Sequence, residues 1–204
     1  MPFSYEKQGV YKTNSYLVWE NKDAVIIDPP LDMDTMLRAI SSRGLTLKAI
    51  LCTHLHYDHA IGCARWQKKF NLDVYASSDE IANKESMLKR SFIRIGVDVE
   101  PFDVTPLSDG PCKWGDIEAD SIFVRGHSPC GICYYFKKQG ILMTGDSLFM
   151  GEDPRLDLPE SCPEFLYPDL QKNIMILPSL TMVLPGHGEP TTIGDEYERI
   201  VFAD

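Results

Sequence analysis

The sequence predicts a mixed α/β (α+β) fold, and two patterns along the chain support that class. In the first half, an apolar run at 47–53, a helical segment at about 60–70 and a second apolar run at 72–76 follow one another. Strand, helix and strand in that order are typical of a parallel or mixed sheet with helices on its outside. From Asp103 to Thr144 the pattern changes to short apolar segments separated by Gly, Pro and Asp, which predicts further neighbouring strands.

The N-terminal part is predicted to form two strands and a helix. Gly9 to Trp19 mixes β-branched and aromatic residues, and Ala24 to Ile27 is a short, wholly apolar run, so both are interpreted as strands. A helix follows, because four apolar residues fall at the i, i+3, i+4, i+7 spacing of one face: Met33, Met36, Leu37 and Ile40. Gly44 is expected to end that helix.

The rest of the chain is predicted to begin with a helix near 79–84, which a segment at 86–92 can continue, and then to form mostly strands. Tyr134–Phe136 and Ile141–Met143 are expected to pair as a hairpin around the polar, glycine-containing residues 137–140. The remaining predicted elements are a strand at 117–124, a loop at 150–163, a helix at 164–176, a strand at 181–184 and a helix at 195–201.

Composition limits the classes of function. The 204 residues are enough for one sizeable core, so we interpret residues 1–204 as a single domain. A net charge of −10 argues against nucleic acid as a partner. No run approaches the roughly 20 apolar residues of a membrane span, so no membrane association is expected. The first residues lack a basic region followed by an apolar one, which predicts a cytoplasmic protein without a signal peptide.

Six cysteines are expected to be reduced thiols in such a chain. Cys130-x-x-Cys133 resembles half of a structural zinc site, but no second pair has the required spacing. Cys52 and Cys63 are expected to pack as small apolar residues. Cys130 lies three residues after His127, where metals close by would lower the pKa of its thiol, and we expect no catalytic role for it.

The most informative stretch is Thr53-His54-Leu55-His56-Tyr57-Asp58-His59. Four of its seven residues can bind a metal through imidazole or carboxylate, and it joins an apolar strand to a predicted helix. The flanking elements therefore hold several ligands close together. The chain has five histidines, and three of them lie within this stretch.

The other two histidines and one further acid also follow predicted strands. His127 and His187 each stand directly after a glycine, and Asp146 follows the apolar run 141–143 and the Thr-Gly pair at 144–145. A single histidine after a glycine turn is more often structural than a ligand. The joint occurrence of these residues with the motif predicts a metal site.

These motifs resemble the metallo-β-lactamase superfamily. The similarity rests on His54-x-His56-x-Asp58-His59, Gly126-His127, Gly145-Asp146 and Pro185-Gly186-His187-Gly188, and it extends from about Asn14 to the C-terminus. The segments 144–149 and 155–159 are most similar to the glyoxalase II-like hydrolases. The resemblance implies a four-layer αββα sandwich with the metal site at one edge of the two sheets.

The resemblance also implies a ligand set for two divalent cations. It assigns His54, His56 and His127 to the first cation and Asp58, His59 and His187 to the second, with Asp146 bridging them. Asp58, His59 and Asp146 are given the catalytic role as well. Zinc is the expected metal, with iron or manganese as alternatives. A similar aspartate in the family lies near the metals without binding them, and Asp28 matches it.

The implied reaction is hydrolysis of an ester or thioester of a small molecule. Two cations about 3.5–4 Å apart can share a hydroxide that acts as nucleophile at neutral pH. A thioester is favoured because a thiolate leaves without a strong acid, and the chain has no spare histidine for that role. Seventeen residues follow His187, too few for the C-terminal helical domain of glyoxalase II. The expectation is therefore a glyoxalase II-like hydrolase whose particular substrate is not specified.

Three other functions share parts of this pattern. An iron-dependent persulfide dioxygenase would use His54, His127 and Asp146 as a facial triad, although His59 and His187 fit two metals better. Lactonases carry the same motif. A metal-stabilised scaffold that binds a partner without turnover is the non-enzymatic alternative. Oligomeric state is not specified by the sequence.

Overall fold

Two six-stranded β-sheets organise the computed structural model, which describes residues 3–203 apart from the side chains of residues 91, 92 and 94. The strands of the first sheet adjoin one another in chain order: β1 (Phe3–Gln8), β2 (Thr13–Glu20), β3 (Asp23–Ile27), β4 (Thr46–Leu51), β5 (Val74–Ala76) and β6 (Thr105–Pro106). The second sheet has the spatial order β12-β11-β10-β9-β8-β7, with these bounds: β7 (Gly110–Trp114), β8 (Ile117–Val124), β9 (Gly131–Phe136), β10 (Ile141–Gly145), β11 (Met182–Pro185) and β12 (Thr191–Thr192).

Helices cover the outer faces of both sheets. They are α1 (Asp34–Arg43), α2 (Tyr57–Ala60), α3 (Cys63–Phe70), α4 (Ser78–Ile95), α5 (Pro163–Asp169) and α6 (Ile193–Val201). Within the described residues, none of them is both long and apolar enough to cross a lipid bilayer.

Three buried apolar clusters separate four layers. Alternation along β3 shows how, because Ala24 and Ile26 pack in the cluster under α1 and α3, whereas Val25 and Ile27 face the second sheet. The third cluster lies between the second sheet and the C-terminal helices and includes Leu166 of α5. The predicted αββα sandwich is therefore confirmed, and the core between its two sheets is apolar.

The N-terminal prediction is partly wrong. In place of one strand over 9–19, β1 and β2 form an antiparallel hairpin in which Phe3 pairs with Val18 and Gln8 with Thr13. Gly9 and Lys12 have positive φ angles of 63° and 55° in the connecting turn. The strand β1 was missed because it is a half-exposed edge strand with few apolar residues.

Two predicted helices differ in their continuity. The helix expected over 60–70 is divided into α2 and α3 near Gly62, where an added Cβ atom would lie 2.3 Å from the carbonyl oxygens of Pro29 and Pro30. The helix expected over 164–176 begins at Pro163 and becomes a wider π-helical turn at Leu170–Ile174. The two weak segments at 79–84 and 86–92 form the single helix α4.

The remaining elements follow the prediction closely. The hairpin of β9 and β10 pairs Phe136 with Ile141 and Tyr134 with Met143. Gly44 ends α1 in the left-handed conformation, with φ of 60°. The last helix begins two residues earlier than predicted, at Ile193.

Candidate metal centre

All seven predicted ligands lie at one edge of the sandwich. His54 and His56 follow β4, and Asp58 and His59 belong to the short helix α2. The other three ligands follow strands of the second sheet, namely His127 after β8, Asp146 after β10 and His187 after β11. The strands β4, β10 and β11 each end at this edge, so residues far apart in sequence meet there.

Three buried imidazoles form the first group of donors. Ring nitrogens of His54, His56 and His127 lie within 4.8 Å of one another. His56 Nδ1 is 2.9 Å from His127 Nε2, and His54 Nε2 is buried without a hydrogen-bond partner among the described residues. Because unpaired buried nitrogens are costly, this arrangement fits a group of ligands that converge on a cation.

The second group contains one carboxylate and two imidazoles. His187 Nε2 lies 3.3 Å from Asp58 Oδ2 and 3.3 Å from His59 Nε2. His59 is fully buried, whereas Asp58 and His187 are partly exposed toward the cleft. Thr13 at the start of β2 donates its hydroxyl to Asp58 Oδ2 over 3.1 Å, which fixes the orientation of that carboxylate.

Asp146 lies between the two groups. Its Oδ2 is 3.4 Å from His127 Nε2 and 3.5 Å from His187 Nε2, and its Oδ1 is 3.3 Å from His59 Nε2. Asp146 Oδ1 is also buried without a hydrogen-bond partner in the part of the chain described. The mixed imidazole and carboxylate donors and these orphaned buried atoms fit divalent cations.

Burial keeps the first group neutral. It lowers the pKa of His54 well below the ordinary value for histidine. It also lowers the pKa of His56 to about 4 and that of His127 to about 4. At neutral pH these three imidazoles therefore keep a lone pair available for a cation.

The second group has the opposite balance. Burial alone would lower the pKa of His59, but the carboxylates of Asp146, Asp28 and Asp58 outweigh it and raise that pKa well above its ordinary value. The pKa of His187 is raised because its contacts with Asp58 and Asp146 exceed the effect of burial. A cation at this group would replace protons that the imidazoles otherwise hold.

Oxygen atoms lie behind four of the five imidazoles and orient them. Asp28 Oδ2 is 2.9 Å from His59 Nδ1, and Thr53 Oγ1 is 3.1 Å from His54 Nδ1. Two backbone carbonyl oxygens complete the set, that of Arg155 at 2.7 Å from His127 Nδ1 and that of Tyr11 at 3.0 Å from His187 Nδ1. Such outer contacts fix which ring nitrogen is free to bind a metal. Asp28 therefore lies beside the centre without belonging to either group.

Two glycines allow the ligand segments to approach closely. A Cβ atom on Gly186 would lie 2.3 Å from Asp146 Oδ1 and 2.6 Å from His59 Cε1. A Cβ atom on Gly145, whose φ is 50°, would lie 2.3 Å from Thr53 Oγ1. Side chains at these two positions would displace the ligand segments, so both glycines serve the geometry of the centre.

Glu80 is a buried residue beside the centre that the sequence did not indicate. Its carboxylate accepts hydrogen bonds from the backbone N–H of Leu55, over 2.8 Å, and of Cys130, over 3.1 Å. It therefore connects the segment that carries His54 and His56 with the segment that follows His127. No motif marks this glutamate, which stands in a helix of ordinary polar composition.

A cleft of about 610 Å³ opens over the centre. Its lining combines aromatic and apolar side chains, including Tyr57, with acidic and basic residues. Arg155 forms an ion pair with Asp157, at 2.7 Å. Cys130 is buried, and burial raises the pKa of its thiol to about 12, which agrees with the expectation of no catalytic role.

The chain is similar in sequence to a known protein family and to several of its members. The profile of the metallo-beta-lactamase superfamily matches residues 9–197. The probable metallo-hydrolase YqgX of Bacillus subtilis is 31% identical over 199 residues, which cover 95% of this chain and 93% of the relative. The hydroxyacylglutathione hydrolase GloC of Haemophilus influenzae is 26% identical, over 91% of this chain and 90% of the relative.

Solved structures give the same answer for the fold. A B3 metallo-beta-lactamase, BLEG-1, has a TM-score of 0.86 and 29% sequence identity, and the match covers 97% of both chains. TTHA1623 in a di-iron-bound form has a TM-score of 0.85 and 31% identity, over 95% of this chain and 96% of that one. The chain belongs to the metallo-beta-lactamase superfamily of metallo-hydrolases.

Proposed function

We propose that this protein is a two-metal hydrolase that cleaves thioesters or related esters of small hydroxyacids. The position of Asp146 carries the proposal, because its two oxygens face donors of both groups. A carboxylate in that position suits a pair of cations a few ångströms apart. Zinc is the proposed metal, and the di-iron-bound TTHA1623 makes iron the first alternative to test.

Each ligand has a defined part in this proposal. His54, His56 and His127 would hold the first cation, Asp58 and His59 with His187 would hold the second, and Asp146 would bridge the two. Bound in this way, a pair of cations supplies a water of lowered pKa and a Lewis acid for a carbonyl oxygen. Asp58 and Asp146 also line the cleft, so both carboxylates would lie beside a substrate as well as beside the cations.

The histidine inventory favours a thioester. All five histidines of the chain are within the described residues, and each belongs to one of the two groups. None of them is left to protonate a poor leaving group, whereas a thiolate leaves without such help. The likeness to GloC, a hydroxyacylglutathione hydrolase, is consistent with a hydroxyacyl thioester and leaves the thiol part of the substrate to be determined.

A mononuclear persulfide dioxygenase is the principal alternative. It would need only three of the seven donors as a facial triad. The second group, in which Asp58, His59 and His187 converge, would then have no role, so its presence favours the hydrolase.

The test is a panel assay on the zinc-loaded and metal-free protein. The panel contains S-lactoylglutathione, a lactoyl thioester of a small neutral thiol, an oxygen ester, a lactone and a β-lactam. We expect thioester hydrolysis that a chelator abolishes and zinc restores, and that Asp146→Asn reduces by 100-fold or more. Thioester hydrolysis that survives removal of metal would refute the proposal, and oxygen uptake with a persulfide by the iron-loaded protein would favour the dioxygenase.

A control variant separates loss of the bridge from loss of a carboxylate elsewhere in the chain. Asp23 lies at the start of β3, far from the ligands, where it accepts a hydrogen bond from the backbone N–H of Asp116 and pairs with Lys48. Asp23→Asn is expected to keep the hydrolytic rate within about twofold of the unmodified protein.

A further inference from the structure

His56 differs from the other four imidazoles in what lies behind it. Its Nδ1 faces His127 in the first group, so its Nε2 points away from the centre. That Nε2 is buried and has no hydrogen-bond partner of good geometry among the described residues. A carboxylate oxygen, Glu160 Oε1, nevertheless lies only 3.3 Å from it.

Glu160 is buried and has a strong partner of its own. Its side chain is only 5% exposed, and Arg90 of α4 donates from both terminal nitrogens of its guanidinium to the two carboxylate oxygens. Paired bonds of this kind hold a carboxylate in one plane and compensate its charge. Glu160 can therefore remain buried as an anion beside His56.

The segment that carries Glu160 is fastened to the ligand segment after β8. The backbone N–H of Cys162 donates to the carbonyl oxygen of Gly126 over 2.7 Å. The hydroxyl of Ser161 donates to the carbonyl oxygen of His127 over 2.8 Å. Gly126 and His127 are thus hydrogen-bonded to the two residues directly after Glu160.

From this arrangement we propose that Glu160 is a positioning residue of the first metal group. Its carboxylate accepts a hydrogen bond from the Nε2–H of His56, so that Nδ1 keeps the lone pair that faces the cation. Arg90 holds the carboxylate in place. The inference rests on the proposed metal centre and adds residues that neither the sequence motif nor the two donor groups contain. A carboxylate behind a ligating imidazole raises its basicity and fixes its orientation.

A purely structural role of Glu160 would give a different experimental result. If the pair of Arg90 and Glu160 only joins α4 to the segment before α5, its removal lowers thermal stability and leaves zinc affinity unchanged. If Glu160 positions His56, zinc affinity falls by about 10- to 100-fold, which is the usual effect of losing such an outer contact. Affinity and stability together therefore separate the two roles.

The experiment measures zinc affinity of the metal-free protein by competition with a chromogenic chelator. The variants are compared in a His187→Ala background, which weakens the second group, so that the titration reports the zinc affinity of the first group. We expect Glu160→Gln to lower zinc affinity 10- to 100-fold, and Arg90→Met, which frees the carboxylate to move, to lower it by a smaller factor. Asp23→Asn, which breaks the ion pair between Asp23 and Lys48 at the far end of β3, is expected to leave zinc affinity unchanged.

The outcomes distinguish this inference from the metal centre itself. Unchanged affinity in both Glu160→Gln and Arg90→Met, with a lowered unfolding temperature, would overturn the positioning role and leave the centre intact. If Glu160→Gln does not fold, Arg90→Met alone decides by the same comparison. Failure of the unmodified protein to bind zinc would overturn the centre and this inference together.

Discussion

Substitution of Asp28 tests what orients the imidazole of His59 in the second group. Its Oδ1 accepts the backbone N–H of Thr53 over 2.8 Å, and its Oδ2 accepts the hydroxyl of Thr53 over 2.7 Å and faces His59 Nδ1 at 2.9 Å. A carboxylate at neutral pH only accepts hydrogen bonds, so the proton between Asp28 and His59 lies on Nδ1. The Nε2 atom of His59 can then face a cation.

The substitution Asp28→Asn keeps the shape and removes one of the two acceptors. Whichever way the amide is turned, its NH₂ group faces either the N–H of Thr53 or the Nδ1 of His59. In the second case His59 must carry its proton on Nε2, which removes the lone pair from the metal side. Loss of one hydrogen bond to a charged group costs about 1.5–3 kcal/mol, or a fall in Tm of about 3–12 °C for a chain of this size.

The assay counts zinc per chain and measures each affinity by chelator competition. Asp28→Asn is expected to weaken the second zinc by about 10- to 100-fold and to leave the first nearly unchanged. The control is Asp23→Asn, at the other end of β3, about 16 Å away by the rise of an extended strand. Two zinc ions bound with unaltered affinity, together with an unaltered Tm, in Asp28→Asn would refute the role of Asp28 in orienting His59. Unaltered affinity with a lowered Tm would mean that the amide turns its NH₂ group toward Thr53.

Three further predictions test neighbouring parts of the centre. Gly186→Ala should abolish binding of the second zinc, because its methyl group would overlap Asp146 Oδ1 and His59 Cε1, and a zinc count measures this. Asn14→Ala should lower Tm by several degrees, because the Asn14 amide donates to two carbonyl oxygens of the turn around His187, and each such bond contributes about 0.5–1.5 kcal/mol. Zinc binding near pH 7 should release protons and weaken as pH falls, because the pKa values of His59 and His187 are raised and their protons must leave first. Calorimetry in two buffers of different ionisation enthalpy counts those protons.

Controls and contrary outcomes are available for these three. Gly131→Ala adds a methyl group with its nearest neighbour at an ordinary 3.4 Å, so it should keep both zinc ions. A full zinc count in Gly186→Ala would show that the ligand segments tolerate displacement. An unchanged Tm in Asn14→Ala would mean that other contacts hold the turn, and binding without proton release would contradict the protonated state of the second group.

The sequence was sufficient to predict which side chains meet at this edge, because histidines are few in this chain and chemically distinctive. With only five histidines in the chain, their placement after predicted strands was informative, and all of them meet at one edge. The apolar runs of β3 and β4 were equally clear, since both are buried on two faces. These features depend on local pattern and residue type, which a sequence displays directly.

The missed features depend on tertiary contacts. The strand β1 is an exposed edge strand with little apolar pattern, and the division between α2 and α3 comes from the close approach of Gly62 to Pro29 and Pro30. Glu80 and Glu160 look like ordinary surface glutamates in the sequence. Their burial beside the ligands follows only from how α4 and the segment before α5 pack on the centre.

Anomalous diffraction from zinc-soaked crystals can show whether the seven side chains hold a pair of cations. We expect two anomalous peaks, one at bonding distance from His54, His56 and His127 and one at bonding distance from Asp58, His59 and His187. Both peaks should lie within reach of Asp146. A single peak, or peaks that are not ligated by these residues, would refute the two-cation centre.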